Sequence, residues 1–162
     1  IERVDGTRFA DTLTGSSVDN VLGGDAGRDT YDGGAGFDAI EFGRNSTDTA
    51  MSGVNVNLAL ASGQVINDGF GNTENAISIE ELRGSDAADI FRGNAQTNVI
   101  EGREGADTLT GQGGRDFFNF YRQDEMSSGT DRVTDFAATG PGADWLAFGY
   151  ENWTNMTTTV RV

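Results

Sequence analysis

The chain has 162 residues, with 11 basic against 26 acidic side chains, a net charge of −15, and arginine as the only basic residue. It contains no cysteine and no histidine, which excludes a disulfide framework, a zinc site of the usual kind and a Ser-His or Cys-His nucleophile pair. The acidic balance argues against nucleic-acid binding, and no apolar run approaches the ~18 residues of a membrane span. The 24 glycines, about twice the average share of ~7%, leave disorder or metal binding as explanations.

A nine-residue repeat runs through two blocks, residues 6–41 and 84–119. Each repeat begins at a glycine, carries Asp or Asn at position six and carries a large apolar residue at position eight. The opening glycines are Gly6, Gly15, Gly24, Gly33, Gly84, Gly93, Gly102 and Gly111. A disordered acidic linker does not require an apolar residue in phase with every glycine, so the repeat predicts a folded solenoid.

The spacing within the repeat predicts a turn followed by a very short strand. Such a strand is unstable alone and must stack on equivalent neighbours. Two repeats would close one flattened coil, and successive coils would stack at the ~4.8 Å spacing of paired strands. With position eight pointing inward, the predicted stacking pairs are Leu13 with Tyr31, Leu22 with Ile40, Phe91 with Leu109, and Ile100 with Phe118.

Stacked turns would bring the position-six side chains together. The predicted pairs are Asp11 with Asp29, Asn20 with Asp38, Asp89 with Asp107, and Asn98 with Asp116. Carboxylates this close repel each other unless a cation lies between them, and an all-oxygen site with six or more flexible ligands favours Ca²⁺. We therefore predict four calcium sites, two in each block. The two Asn/Asp sites should bind more weakly because each has one charge fewer.

The repeat residues resemble a known family. Residues 33–41, GGAGFDAIE, fit the GGxGxDxUx motif, and the chain resembles the RTX, or hemolysin-type, calcium-binding domain. The resemblance implies an all-β fold, a right-handed parallel β-roll (a β-solenoid), with calcium held by the position-six side chains and by turn carbonyls. The carbonyls implied are those around Gly24, Gly27, Gly33, Gly34, Gly36, Gly102, Gly105, Gly111, Gly113 and Gly114.

The repeats depart from the motif at two turn positions. Position four is Phe9, Val18, Ala87 and Gln96 in the first two repeats of each block, and position two is glycine only at Gly34. A changed side chain leaves a carbonyl ligand in place. Turns that need a positive φ should nevertheless be more strained without glycine.

We predict one elongated domain over residues 1–162, in which residues 42–83 connect the blocks and residues 120–162 cap the roll. Within the connector, Val54, Val56, Leu58 and Leu60 alternate with smaller or polar residues, and Ile77 and Ile79 alternate again. This pattern is typical of half-buried strands. The connector should therefore continue the roll or pad its side, instead of forming a flexible linker.

The C-terminal segment should hide the last apolar layer, as a solenoid requires. The side chains expected to do this are Phe120, Val133, Phe136, Trp145, Leu146 and Phe148. Asp131, Asp135 and Asp144 lie among them. They could bind a further ion, but we expect them to form hydrogen bonds within the cap.

The resemblance implies a non-catalytic module of a secreted or cell-surface protein that leaves the cell by type I secretion. A charge of −15 opposes collapse of the calcium-free chain, and metal binding would supply the folding free energy. Expected partners are calcium, the type I secretion machinery and other domains of a parent chain. Because the sequence begins at Ile1 instead of Met, we expect it to be a segment of that larger protein.

Two alternatives remain. RTX rolls also occur as the R-modules of secreted alginate C5-epimerases, and Arg28, Arg92, Arg103 and Arg115 could meet the carboxylates of such an anionic polysaccharide, although the net charge opposes this. An enzyme is the other alternative. Without histidine, a metalloprotease or lipase centre within this chain is excluded, so catalysis would belong to another domain of the parent.

Overall fold

The computed structural model describes residues 2–43, 51–120 and 129–148, and within these ranges the regular structure consists of strands alone. The first block and the strand before it contain β1 (Glu2–Asp5), β2 (Thr12–Thr14), β3 (Asn20–Gly23), β4 (Thr30–Asp32) and β5 (Ala39–Glu41). The connector contains β6 (Asn55–Asn57), β7 (Val65–Asn67), β8 (Asn75–Ile77) and β9 (Glu81–Arg83). The second block and cap contain β10 (Ile90–Arg92), β11 (Val99–Glu101), β12 (Thr108–Thr110), β13 (Phe117–Phe120), β14 (Arg132–Val133) and β15 (Trp145–Phe148). None of these described segments includes a helix that could cross a membrane.

The strands form two opposing sides, as expected when each coil contributes one strand to each side. One side is a parallel seven-stranded sheet in the order β1-β3-β5-β9-β11-β13-β15. The other side is divided into a three-stranded sheet, β2-β4-β8, and a five-stranded sheet, β14-β12-β10-β6-β7. The fold is therefore an all-β parallel β-roll, as predicted.

The register confirms the predicted stacking. Leu13 pairs with Tyr31 and Phe91 with Leu109 on one side, while Leu22 pairs with Ile40 and Ile100 with Phe118 on the other. These position-eight side chains are all buried and belong to one apolar cluster. Because burial of apolar surface is the dominant favourable term in folding, this cluster joins the two sides.

The connector enters the roll through both sides. Its last strand, β9, lies between β5 and β11, so the seven-stranded sheet continues from one block to the other. On the opposite side β8 extends the first block next to β4, and β6 extends the second block next to β10. The remaining strand, β7, pairs antiparallel to β6. The prediction that the connector continues the roll is confirmed.

Two details of the connector pattern were predicted wrongly. Leu60 is exposed because β6 ends at Asn57. The side chain of Asn57 accepts a hydrogen bond from the Ala59 N–H, and this bond starts a turn. Ile77 is exposed and Ile79 buried although they are two residues apart. Ser78 between them has a φ of 55°, which rotates the chain out of the extended conformation that would keep both side chains on one face.

The described part of the cap closes the roll as expected except at Trp145, which is exposed and stacks on Phe117 outside the apolar cluster. The strand β14 pairs with β12, and β15 pairs with β13. The rings of Phe120 and Phe148 stack with their centroids 5.5 Å apart. Val133 is buried and Leu146 packs against the apolar cluster.

Candidate metal centre

A hydrogen-bond ladder links position six of each turn to position six of the next turn on the same side. The main-chain N–H of one residue donates to the side-chain oxygen of the residue eighteen positions later. The donor–acceptor pairs are Asp11 to Asp29 Oδ1 at 2.8 Å, Asn20 to Asp38 Oδ1 at 2.7 Å, Asp89 to Asp107 Oδ1 at 2.8 Å and Asn98 to Asp116 Oδ1 at 2.9 Å. The structure therefore brings together all four predicted pairs of position-six residues.

The ladder extends past the repeats on to four acidic residues of the connector and cap. The further pairs are Asp29 to Glu74 Oε1 at 2.8 Å, Asp38 to Glu80 Oε2 at 2.9 Å, Asp107 to Asp131 Oδ1 at 2.9 Å and Asp116 to Asp144 Oδ1 at 3.0 Å. The hydrogen bonds of Asp131 and Asp144, like those from Gly111 and Gln112 to Asp135, agree with the expected role of the cap aspartates. Glu74 and Glu80 were not predicted.

One of these additional residues left a signal in the sequence. Glu74 follows Gly69 at the spacing of position six, and Ala76 stands at position eight, but the side chains are Glu and Ala instead of Asp and a large apolar residue. Glu80 left no such signal, because only residues 78–80 separate β8 from β9.

A side-chain oxygen of each position-six residue lies close to the first glycine of its own repeat. A Cβ atom placed on Gly6 would be 3.0 Å from Oδ2 of Asp11 and 2.7 Å from the carbonyl oxygen of Gly24, which belongs to the next turn. A carboxylate or amide oxygen and a carbonyl oxygen converge in the same way over Gly15, Gly84 and Gly93. The carbonyls there are those of Gly33, Gly102 and Gly111. Four of the ten predicted carbonyls therefore lie close to a position-six side-chain oxygen of the turn before, and their role as ligands stays a prediction.

The remaining predicted glycines hold the turns against one another. Gly27, Gly36, Gly105 and Gly114 pack on the main chain of the turn before them, against Phe9, Val18, Ala87 and Gln96 respectively. Gly34 lies against the carbonyl of Ser16, and a Cβ atom placed on Gly113 would be 3.6 Å from the Cα of Ala95. These contacts show close turn stacking and leave the ligand role of these carbonyls a prediction.

Three residues at position two are strained as the sequence suggested. Asp25, Arg103 and Gln112 have φ values of 70°, 71° and 71°, in the left-handed region that glycine reaches without cost. Gly34 occupies the same position with a φ of 92°. The left-handed geometry is therefore kept at these three positions without glycine, at a cost of roughly 1 kcal/mol per residue.

Five position-six aspartates are buried, and burial raises the pKa of four of them. Asp29, Asp38, Asp89, Asp107 and Asp116 are at most 1% exposed. Burial raises the pKa of Asp29, Asp89 and Asp116 to about 6 and also raises the pKa of Asp38. The hydrogen bonds from the ladder N–H groups lower these pKa values but do not outweigh burial.

Two of these carboxylates have an oxygen that the surrounding protein does not satisfy. Within the described residues, Oδ2 of Asp29 and Oδ2 of Asp38 are buried and have no hydrogen-bond partner. A buried charged oxygen without a partner costs several kcal/mol, on the order of 2–7 for an uncompensated polar group. A cation in the gap between the turns would remove this cost.

The donor chemistry fits a hard cation. The gaps present carboxylate, amide and carbonyl oxygens, the ligand set that Ca²⁺ prefers. The part of the chain that the structure describes contains no group of three or more His, Cys, Asp or Glu side chains suited to a metal. A cation between these turns would consequently depend on main-chain carbonyls as much as on carboxylates.

Comparison with known families agrees with this chemistry. The model of the RTX calcium-binding nonapeptide repeat matches residues 5–40 and 83–118. The two blocks are RTX calcium-binding repeats. The RTX repeats bind Ca²⁺, and they are structural units without a catalytic function of their own. No curated protein matches the chain.

Proposed function

We propose that the RTX repeats of this chain bind one Ca²⁺ in each of the four gaps between paired turns, and that binding drives folding of the roll. The ligands would be the eight position-six side chains together with turn carbonyls, foremost those of Gly24, Gly33, Gly102 and Gly111. The resulting module would act outside the cell, as part of a larger protein exported by type I secretion.

The stacking of buried acidic side chains in successive turns carries this proposal. Asp29 and Asp38 lie within a stack of acidic turns, where like charges make the folded state unfavourable without a cation. Arg3 and Arg83 form their ion pairs on strands β1 and β9, and Arg103, in the turn after β11, pairs with Glu41 of β5. Calcium is therefore the group best suited to offset the acidic turns.

The link to secretion follows from the calcium concentrations on the two sides of the cell envelope. Extracellular calcium modules bind at about 10⁻⁴–10⁻³ M, whereas cytosolic sensors respond at about 10⁻⁷–10⁻⁵ M. A module of the first kind would remain unfolded inside the cell and could pass through a secretion channel as an extended chain. It would fold after export, which would also favour movement in the outward direction.

The affinity of the isolated chain for calcium tests the secretion role. We expect isothermal titration calorimetry to give a midpoint of about 10⁻⁴–10⁻³ M, coupled to a gain of strand signal. A midpoint below about 10⁻⁶ M would place folding inside the cell. That result would contradict the secretion role and leave calcium binding intact.

An anionic polysaccharide is the second candidate ligand, and the arginines give it little support. Arg103 is held by Glu41 and by the carbonyl of Phe42, and Arg28 donates to the carbonyl of Thr73. Arg28 and Arg115 lie in turns that lead into opposite sides of the roll. NMR titration of the calcium-loaded chain with alginate oligomers would support this function only if arginine signals shift together.

A further inference from the structure

The turn between β8 and β9 is shorter than the repeat turns that it stacks on. It consists of residues 78–80, whereas the turns before β5 and β11 span residues 33–38 and 93–98. Leu82 nevertheless pairs with Ile40 in the register of the repeats. The left-handed Ser78, with a φ of 55°, allows the chain to reverse direction in so few residues.

The short turn presents oxygens to the preceding turn as a complete repeat does. The N–H of Gly33 donates to the carbonyl of Ile77 at 3.1 Å, in the way that the N–H of Gly15 donates to that of Asp32 at 2.7 Å. A Cβ on Gly33 would overlap the carbonyl oxygen of Ser78, and it would lie 2.8 Å from Oδ2 of Asp38. The carbonyl of Ser78 therefore occupies the place that the first glycine carbonyl of the next turn occupies elsewhere.

Two carboxylates complete this arrangement. Asp38 is fully buried, and its Oδ2, which points toward the Ser78 carbonyl across Gly33, has no hydrogen-bond partner among the described residues. Glu80 replaces the position-six aspartate, and its Oε2 accepts the N–H of Asp38 at 2.9 Å. The extra methylene of Glu80 offsets the shorter main chain, so that the carboxylate reaches the same point.

The shortened turn also leaves room beside these oxygens. A cavity of about 440 Å³ lies between the two blocks, lined by Gly34, Ser78, Glu80, Asn94 and Gln96 among others. Ser78 is exposed and Glu80 half-buried. A cation bound here would be open to water on one side, and Ca²⁺ accepts such a mixed set of protein and water oxygens.

We propose that Asp38, the Ser78 carbonyl and Glu80 form a further Ca²⁺ site, in addition to the four within the repeats. This inference rests on the proposed calcium-driven folding of the roll. The site would lie where β5 pairs with β9, and would therefore join the first block to the connector. Loss of this site would weaken the junction between the two blocks, because each block is held by its own sites.

The number of calcium ions bound by the whole chain tests the proposal. We compare the wild type with Glu80→Gln, which keeps an oxygen able to accept the Asp38 N–H but removes the charge. Glu81→Gln is the matched control, because it removes one charge from the neighbouring residue, which pairs with Arg83. Native mass spectrometry at saturating Ca²⁺ should show one ion fewer for Glu80→Gln and an unchanged number for Glu81→Gln.

An unchanged ion count and unchanged calcium midpoint for Glu80→Gln would overturn the proposal. If Glu80→Gln fails to fold, a crystal structure of the calcium-loaded wild type decides: a cation about 2.3–2.6 Å from Asp38 Oδ2 and the Ser78 carbonyl supports the site, and its absence refutes it. Failure of the wild type to fold with calcium would instead refute the proposed function.

Discussion

Arg103 of the second block forms an ion pair with Glu41 of the first block, although 62 residues separate them. The same guanidinium donates to the carbonyl of Phe42 at 3.1 Å, and Glu41 also pairs with Arg3 of β1. Burial alone would raise the pKa of Glu41, but Arg3 and Arg103 together lower it. The pair ties the two blocks together across β9, next to the C-terminal ends of β5 and β11 in the seven-stranded sheet.

Breaking this ion pair should destabilise the calcium-loaded roll. Glu41 is only 8% exposed at its side chain, so Glu41→Gln leaves Arg103 and Arg3 poorly compensated, and we expect a loss of about 2–3 kcal/mol. The measurement is urea unfolding at saturating calcium. Glu81→Gln, which breaks the more local pair with Arg83, should cost about 1 kcal/mol or less. Equal losses for the two variants would contradict a special role for Glu41.

The apolar stack should contribute strongly to folding. Phe91 is fully buried between Val56 and Leu109, so Phe91→Ala should cost about 3–5 kcal/mol and shift the calcium midpoint for folding upward. Ile90→Ala changes the neighbouring residue, whose side chain is 38% exposed, and should cost about 1 kcal/mol or less. A calcium titration followed by circular dichroism compares the two variants. Similar midpoints for both would show that the strand does not face the core as described.

The charge in each gap should set calcium affinity. Asp89→Asn removes one charge and leaves one oxygen where two accept the N–H groups of Val54 and Ser85, and it should weaken calcium binding by at least on the order of tenfold, about 1.4 kcal/mol. Asn20→Asp adds a charge to the gap that contains Asp38 and should tighten binding. Calorimetric titration of both variants checks the two opposite signs. A change in the same direction for both would contradict the assignment of these side chains as ligands.

Acid should partly replace calcium in allowing the roll to form. In the calcium-free fold, burial holds the pKa of Asp29, Asp89 and Asp116 at about 6, against ~3.9 for aspartate in an unfolded chain. A raised pKa in the folded state means that folding takes up protons. The stability gained is fully present below about pH 4 and is lost as the pH rises through about 6.

Circular dichroism in the presence of a chelator measures this effect. We expect a disordered spectrum at pH 7 and a gain of strand signal as the pH falls from 6 toward 4.5. Dilute samples are needed because the isoelectric point is about 4.1. A strand signal that is absent at every pH, or that falls with acid, would contradict the raised pKa values.

The phased residues made most of the fold predictable. Glycine, Asp or Asn and an apolar residue at fixed spacing lead to one periodic solution, so the pairs Leu22 with Ile40 and Asp11 with Asp29 followed from counting along the chain. The RTX resemblance added the turn carbonyls as calcium ligands, and that role stays a prediction. The four pairs of position-six residues lie together as this counting predicted.

The sequence could not reveal the residues that complete the ladders outside the repeats. Glu80 reaches the place of a repeat aspartate only because Ser78 adopts a left-handed conformation, and neither residue type predicts that geometry. Ile77 faces solvent for the same reason. Glu74 lies at the position-six spacing from Gly69, but the motif does not identify it, because position six is Glu instead of Asp and position eight is the small residue Ala76. Tertiary stacking, which joins residues far apart in sequence, decides these positions.

The most direct test of calcium-driven folding is a far-ultraviolet circular dichroism titration of the wild-type chain at pH 7, starting in excess chelator. We expect a largely disordered spectrum without calcium and a cooperative gain of strand signal at about 10⁻⁴–10⁻³ M Ca²⁺, with Mg²⁺ at the same concentration producing no such gain. A full strand spectrum in chelator, or none at 10⁻² M Ca²⁺, well above that range, would contradict it.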